Sequence, residues 1–155
     1  MSDMKRATAR YDLNADFYLG VVGNEVTDPS AATLLDLLED VRGMRVLDLA
    51  CGRGRVAREL ARRGALVVGI DISDALLDGA REAETEEPLG ITYLNVDATS
   101  ARALTGEMFD GVVCNHGLAD IDDLDGTLAT VARVLRPGRR FGPVPMFLVV
   151  RCLAT

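Results

Sequence analysis

The stretch VLDLACGRGRVARELARRGALVVGID, residues 46–71, decides the fold. It opens on a short apolar run, Val46-Leu47-Asp48-Leu49-Ala50, and turns at Cys51-Gly52-Arg53-Gly54. A helix is expected over about 55–63, stopped by Gly64, because glycine enters the left-handed conformation of a helix C-cap without strain. A second apolar run, 66–70, ends in Asp71. Neither run alternates apolar with polar residues, so each strand is expected to bury both faces, as in a parallel sheet covered by helices on both sides.

The alternation continues downstream. Ser73 or Asp74 caps a helix reaching about residue 84. A third run, 91–96, ends in Asp97, and a fourth, 109–114, ends in Asn115-His116-Gly117. A helix over 122–135 carries Leu124, Leu128, Val131 and Leu135 on one face, with Pro137-Gly138 as its stop. The run 144–150 reads as a fifth strand, weakened at its start by Pro143 and Pro145. Upstream, residues 1–44 read as helical in at least two pieces. In the second, Asp28 caps, Pro29 occupies the first turn, and Ala31, Leu34, Leu35, Leu38 and Val41 form one apolar stripe. The expected fold is α/β, a doubly wound, mostly parallel sheet of about five strands. It makes one domain over 1–155, with an N-terminal helical segment (1–44), a core (45–141) and a divergent C-terminal strand and tail (142–155).

Composition agrees with a single globular domain. A chain of 155 residues, 48% apolar and 26% charged, buries roughly 70% of the surface its unfolded form exposes. No run approaches the roughly 20 apolar residues of a membrane helix, and the N-terminus has no apolar core of a signal peptide. A net charge of −7 with one Lys and one His makes a poor binder of phosphate backbone, so nucleic acid is not expected as the main partner. Cys51, Cys114 and Cys152 are widely spaced, without a C-x-x-C pair, which argues against a zinc site or disulfide framework and for a reduced, cytoplasmic setting.

In open parallel sheets, ligands bind beyond the carboxyl ends of the strands. Asp48, Asp71, Asp97 and Asn115 all fall at or near such ends. Gly52-Arg53-Gly54-Arg55-Val56-Ala57 formally satisfies the G-x-G-x-x-G/A dinucleotide fingerprint. Asp48, four residues ahead of Gly52, points elsewhere: a carboxylate there repels a pyrophosphate and suits a ligand carrying an ammonium group.

VLDLACGRGRVARELARRGALVVGIDIS resembles motif I and the following acidic strand end of class I S-adenosylmethionine-dependent methyltransferases. YLNVDATS resembles that family's third strand and adenine-contacting acid. FDGVVCNHGLADIDDLDGTLATVARVLRPG resembles its fourth strand and next helix, so the likeness spans about residues 11–141. Ala50 replaces the first motif glycine, and Arg140 stands where an apolar or small residue commonly opens the fifth strand.

The resemblance implies a cofactor site. Gly52 and Gly54 let the backbone approach S-adenosylmethionine, and Ala50 belongs to the same turn. Asp48 helps hold the methionine moiety through the loop. Asp71 accepts from both ribose hydroxyls, Ile72 packs on the adenine, and Asp97 accepts from the adenine amino group with Ala98 contributing its N–H. Asn115 and His116 lie near the sulfonium and the methyl acceptor, His116 being the candidate catalytic base. Tyr11 closes over the methionine end. The product is S-adenosylhomocysteine and the acceptor a small molecule, with bacterial specialised metabolism as the setting. A methyltransferase-like protein without methyl transfer, such as a cyclase or a cofactor- or partner-binding module, is the alternative.

Simpler readings stand beside these. An Asp at a strand end often only caps a turn, a lone His more often shapes a site than catalyses, and Cys51 and Cys114 read as small apolar fillers. Asp120, Asp122, Asp123 and Asp125 read as a helix N-terminus favoured by the macrodipole, and no metal site is expected. The family fold has seven strands; the room after Phe141 suffices for one, so a truncated fold is expected. The apolar MFLVV strand then forms an open edge, which a homodimer or larger assembly covers.

Overall fold

The computed structural model describes residues 29–38, 40–115, 117–137 and 149–151. Strand β1 (Arg45–Leu49) is the centre of the sheet, and Val46, Leu47 and Leu49 are fully buried within it. It pairs in parallel with β2 (Leu66–Asp71) on one side and β4 (Gly111–Asn115) on the other. β3 (Thr92–Asn95) continues beyond β2, and β5 (Val149–Arg151) beyond β4, giving the order β3-β2-β1-β4-β5. Every described pairing is parallel, as the doubly apolar strand pattern requires. The fifth strand was expected over 144–150; its described part is the end of that run, displaced by one residue, while Pro143 and Pro145 lie outside the described residues.

Helices cover both faces. On one, α1 (Pro29–Leu37), α2 (Arg55–Arg62) and α3 (Asp74–Glu86) enclose a core with Leu34, Leu38, Val46, Leu60, Leu77 and Tyr93. The predicted stripe Ala31, Leu34, Leu35, Leu38 and Val41 is buried throughout, each leucine contributing about 2 kcal/mol of apolar burial. On the other face, α4 (Leu124–Val134) packs over Leu47, Leu49, Ile70 and Phe109. Its buried side is Thr127, Thr130, Val131 and Val134, shifted from the expected face: Val131 is buried and Leu135 partly so, whereas Leu124 and Leu128 are 46% and 41% exposed. The buried Thr127 costs little here, because its hydroxyl donates to the Asp123 carbonyl at 2.9 Å. A satisfied hydroxyl lets a threonine occupy a core position that hydropathy assigns to leucine.

Caps settle the helix starts. Ser73 rather than Asp74 caps α3, its Oγ accepting from the Leu76 N–H at 3.2 Å. In the acidic run only Asp123 caps α4, its Oδ1 accepting from the Gly126 N–H at 2.8 Å. Asp125 lies in the first turn, and Asp120 ends a short 3-10 turn (Gly117–Asp120). The chain goes from β1 to β2 and β3 on one side, then returns to β4 and β5 on the other. The switch point therefore lies between β1 and β4, where their carboxyl-end loops diverge.

Candidate functional site

The turn after β1 is built from left-handed backbone: φ is +58° at Ala50, +56° at Gly52 and +78° at Gly54. The Cys51 N–H donates to the Ile70 carbonyl at 2.9 Å, tying the turn to β2. Gly54 is the N-cap of α2, and a Cβ there would overlap the Tyr93 hydroxyl. Ala50 is the exception to glycine, and a left-handed alanine carries about 1 kcal/mol of strain. Its methyl sits where a Cβ on Gly117 would collide, so the loop after β4 meets the β1 turn at a glycine.

Asp71 ends β2. Its Oδ2 accepts from the Gly52 N–H and its Oδ1 from the Ser73 N–H, both at 2.8 Å. The carboxylate thereby joins the turn after β1 to the start of α3, and each oxygen can accept more than one hydrogen bond. Asn95, at the end of β3, braces the same region by donating from Nδ2 to the Ile72 carbonyl at 2.9 Å. Ile72 beside Asp71 is half-buried. Asp97 is exposed and its Oδ1 accepts from the Thr99 N–H and hydroxyl at 2.9 and 2.7 Å, an Asx turn that fixes the carboxylate. Ala98 follows it, buried against the sheet. Asn115 is half-buried at the carboxyl end of β4, in register with Arg151 of β5. Tyr11 and His116 lie outside the described residues.

Asp48 is the most perturbed acid. It is 1% exposed, and its Oδ2 has no hydrogen-bonding partner among the described residues. Burial pushes its carboxyl up to about 8, the nearby Asp71 charge adds to the rise, and a hydrogen bond from the Ala57 backbone opposes it. Ala57 lies in the first turn of α2, so Asp48 satisfies one of the donors that helix leaves open. Burial, followed by the Asp48 charge, also raises both thiols, Cys51 well above its ordinary value and Cys114 to about 12. Neither is a thiolate near neutral pH, in keeping with small apolar fillers.

The structure thus gathers Asp48, Ala50, Gly52, Gly54, Asp71 and Ile72 around one turn, with Asp97 and Ala98 beyond β3 and Asn115 at the end of β4. Sequence reasoning missed Asn95, Tyr93 and Gly117. Gly69, a glycine inside a strand, was the available signal for a close approach there. Among the described residues, no group of three or more His, Cys, Asp or Glu is arranged to hold a metal ion, and no helix is long and apolar enough to cross a membrane.

A family model described as a methyltransferase domain matches residues 47–141. The chain belongs to this family, the class I S-adenosylmethionine-dependent methyltransferases, whose cofactor is S-adenosylmethionine. A ubiquinone biosynthesis O-methyltransferase of Hahella chejuensis is 35% identical over 111 residues, covering 72% of this chain and 47% of that protein. Nocamycin O-methyltransferase of Saccharothrix syringae is 35% identical over 141 residues, covering 87% and 50%. The crystal structure of the 4+2 cyclase SpnF is similar with a TM-score of 0.70 at 26% identity, covering 83% of this chain and 55% of that one. The chain spans about half the length of the curated relatives it matches.

Proposed function

We propose that this chain binds S-adenosylmethionine at the carboxyl ends of β1 to β4 and serves methyl transfer to a small-molecule acceptor in bacterial specialised metabolism. The observation that carries the reading is Asp48: a fully buried carboxylate with one oxygen unpaired among the described residues, close enough to Asp71 to feel its charge. Ionising Asp48 sets its charge close to that of Asp71, and a ligand bearing an ammonium and a sulfonium favours the ionised form. The turn fits the same ligand, since Gly52 and Gly54 present no side chain where the backbone must approach it.

Asp71 is the ribose acceptor in this reading, held by the Gly52 and Ser73 N–H groups. Ile72 packs on the adenine, and Asp97 and Ala98 recognise its edge. Asn115 and His116 stand toward the acceptor, His116 serving as base where the acceptor is a weakly acidic hydroxyl, and Tyr11 covers the methionine end. When bound, the cofactor supplies an activated methyl carbon. The protein's part is to align the acceptor and exclude water. A cytoplasmic protein and a second copy over the β5 edge complete the proposal, and light scattering showing only monomer at micromolar concentration contradicts the second copy.

A second reading is a methyltransferase-like protein without transfer, such as a cyclase, and the likeness to SpnF favours it. Titration calorimetry with S-adenosylmethionine and S-adenosylhomocysteine tests the shared site; absence of binding sinks both readings. S-adenosylhomocysteine formed with candidate phenol, enol or amine acceptors supports transfer. Tight cofactor binding with no product across such a panel supports the second reading.

A further inference from the structure

Tyr93 has no part in the site as read so far. It lies on β3 in one row with Asp48: Asp48 pairs with Gly69, and Gly69 with Tyr93. Register neighbours project to the same sheet face, so an acid and a phenol flank a glycine on the face that α2 covers. A Cβ on Gly69 would stand 2.9 Å from Tyr93 Cδ1 and 3.0 Å from Cys51 Sγ, so the ring lies across that glycine. Its far end reaches the underside of Gly54, the N-cap of α2. Tyr93 Oη and Asp48 Oδ2 are both buried without a partner among the described residues. Each such atom costs about 1–3 kcal/mol, and a phenol donor is the complement of a carboxylate acceptor.

Resting on the cofactor reading above, we propose that Tyr93 is a positioning residue of the cofactor turn. Its ring supports Gly54, and its hydroxyl donates to Asp48 through one bridging water, so that Asp48 meets the cofactor as a carboxylate. The other groups facing Asp48 are Asp71 on β2, Cys51 in the turn and Cys114 on β4. Those facing Tyr93 are Cys51, Glu84 on α3 and Arg58 on α2. Arg58 gives its Nη2 to Glu87 at 2.6 Å, while its Nε and Nη1 are buried without a partner among the described residues; as donors they can only give to the phenol oxygen and leave its proton for an acceptor. Glu84 Oε1 takes the N–H groups of Leu89, Gly90 and Ile91, while its Oε2 is the acceptor that competes for the phenol. Burial holds the phenol well above its ordinary value, so it remains a donor wherever the protein is folded. A donor to Asp48 favours the ionised form against the burial that opposes it.

The test is the pH profile of S-adenosylmethionine affinity, read by calorimetry in buffers of different ionisation enthalpy between about pH 6 and 9.5. Wild-type affinity rises as Asp48 ionises, with proton release on binding below the midpoint. Tyr93→Phe moves that rise upward by about one pH unit, weakens binding about tenfold at pH 7, and recovers above the rise. Asp48→Asn flattens the profile and removes the pH-dependent effect of Tyr93→Phe; Glu84→Gln leaves the midpoint in place. A uniform loss at every pH overturns the proposal, as does an unmoved midpoint, a flat wild-type profile, or a Glu84→Gln shift matching that of Tyr93→Phe. Failure of wild type to bind the cofactor at all overturns the functional reading itself, which separates the two failures.

Discussion

Asp48→Asn in the ligand-free protein is expected to stabilise the fold above neutral pH while weakening cofactor binding. Burial raises the Asp48 pKa from 3.8 to about 8, so the folded chain holds this proton more tightly than the unfolded chain. Between those values the native state binds more protons, and stability falls as pH rises. The contribution is fully present below about pH 4 and lost by about pH 8, beyond which both states carry the charge. At about 1.4 kcal/mol per pH unit, full ionisation costs the fold about 6 kcal/mol at most. Relaxation and water entry around the buried charge reduce that to about 3 kcal/mol. Asparagine has no charge to lose and keeps an oxygen for the Ala57 N–H. Urea unfolding followed by circular dichroism is the assay. Variant and wild type agree within about 1 kcal/mol at pH 5, and the variant gains about 3 kcal/mol at pH 9. A variant equally destabilised at both pH values refutes the reasoning, because Asp48 would then be a packing group and not a strained charge.

Other substitutions probe the scaffold around the site. Gly117→Ala forces a methyl onto Ala50 and costs about 1–3 kcal/mol; adding Ala50→Gly restores most of it, a coupling that a double-mutant cycle in urea reads directly. Asp71→Ala removes the acceptor of the Gly52 and Ser73 N–H groups and lowers S-adenosylmethionine affinity by about 100-fold in calorimetry, about 3 kcal/mol. Glu84→Ala leaves the N–H groups of residues 89–91 without their shared carboxylate oxygen. It lowers unfolding stability by about 2 kcal/mol, with cofactor affinity at pH 7 within about threefold of wild type.

Much of this molecule is legible in its residues because the relevant physics is local. Strands apolar on both faces mean a covered parallel sheet, glycines after β1 mean a tight turn, and the α1 stripe has the spacing of one helix face; all three hold in the structure. Reading failed where a distant contact set the outcome. α4 turns Thr127 and Thr130 inward and leaves Leu124 and Leu128 largely exposed, since a local hydrogen bond satisfies the Thr127 hydroxyl and the docking angle is set by the sheet. Asn95 gave no signal because its partners, the backbone carbonyls of Asp71 and Ile72, lie at and just past the end of a different strand, β2.

The sequence by itself determined the order of strands and helices, the acids at their ends and the family to which the chain belongs. These follow from periodicity, turn chemistry and short-range spacing. Only the tertiary structure decided what those acids experience. Asp71 and Asp48 have similar ordinary acidities, yet one is tied by backbone N–H groups while the other is sealed with an oxygen unpaired. Burial depth and register across β1, β2 and β3 make that difference, and they also bring Tyr93 into Asp48's row across Gly69, from 45 residues further along the chain. Such a neighbour is invisible in one dimension, because register is fixed by the packing of the whole sheet.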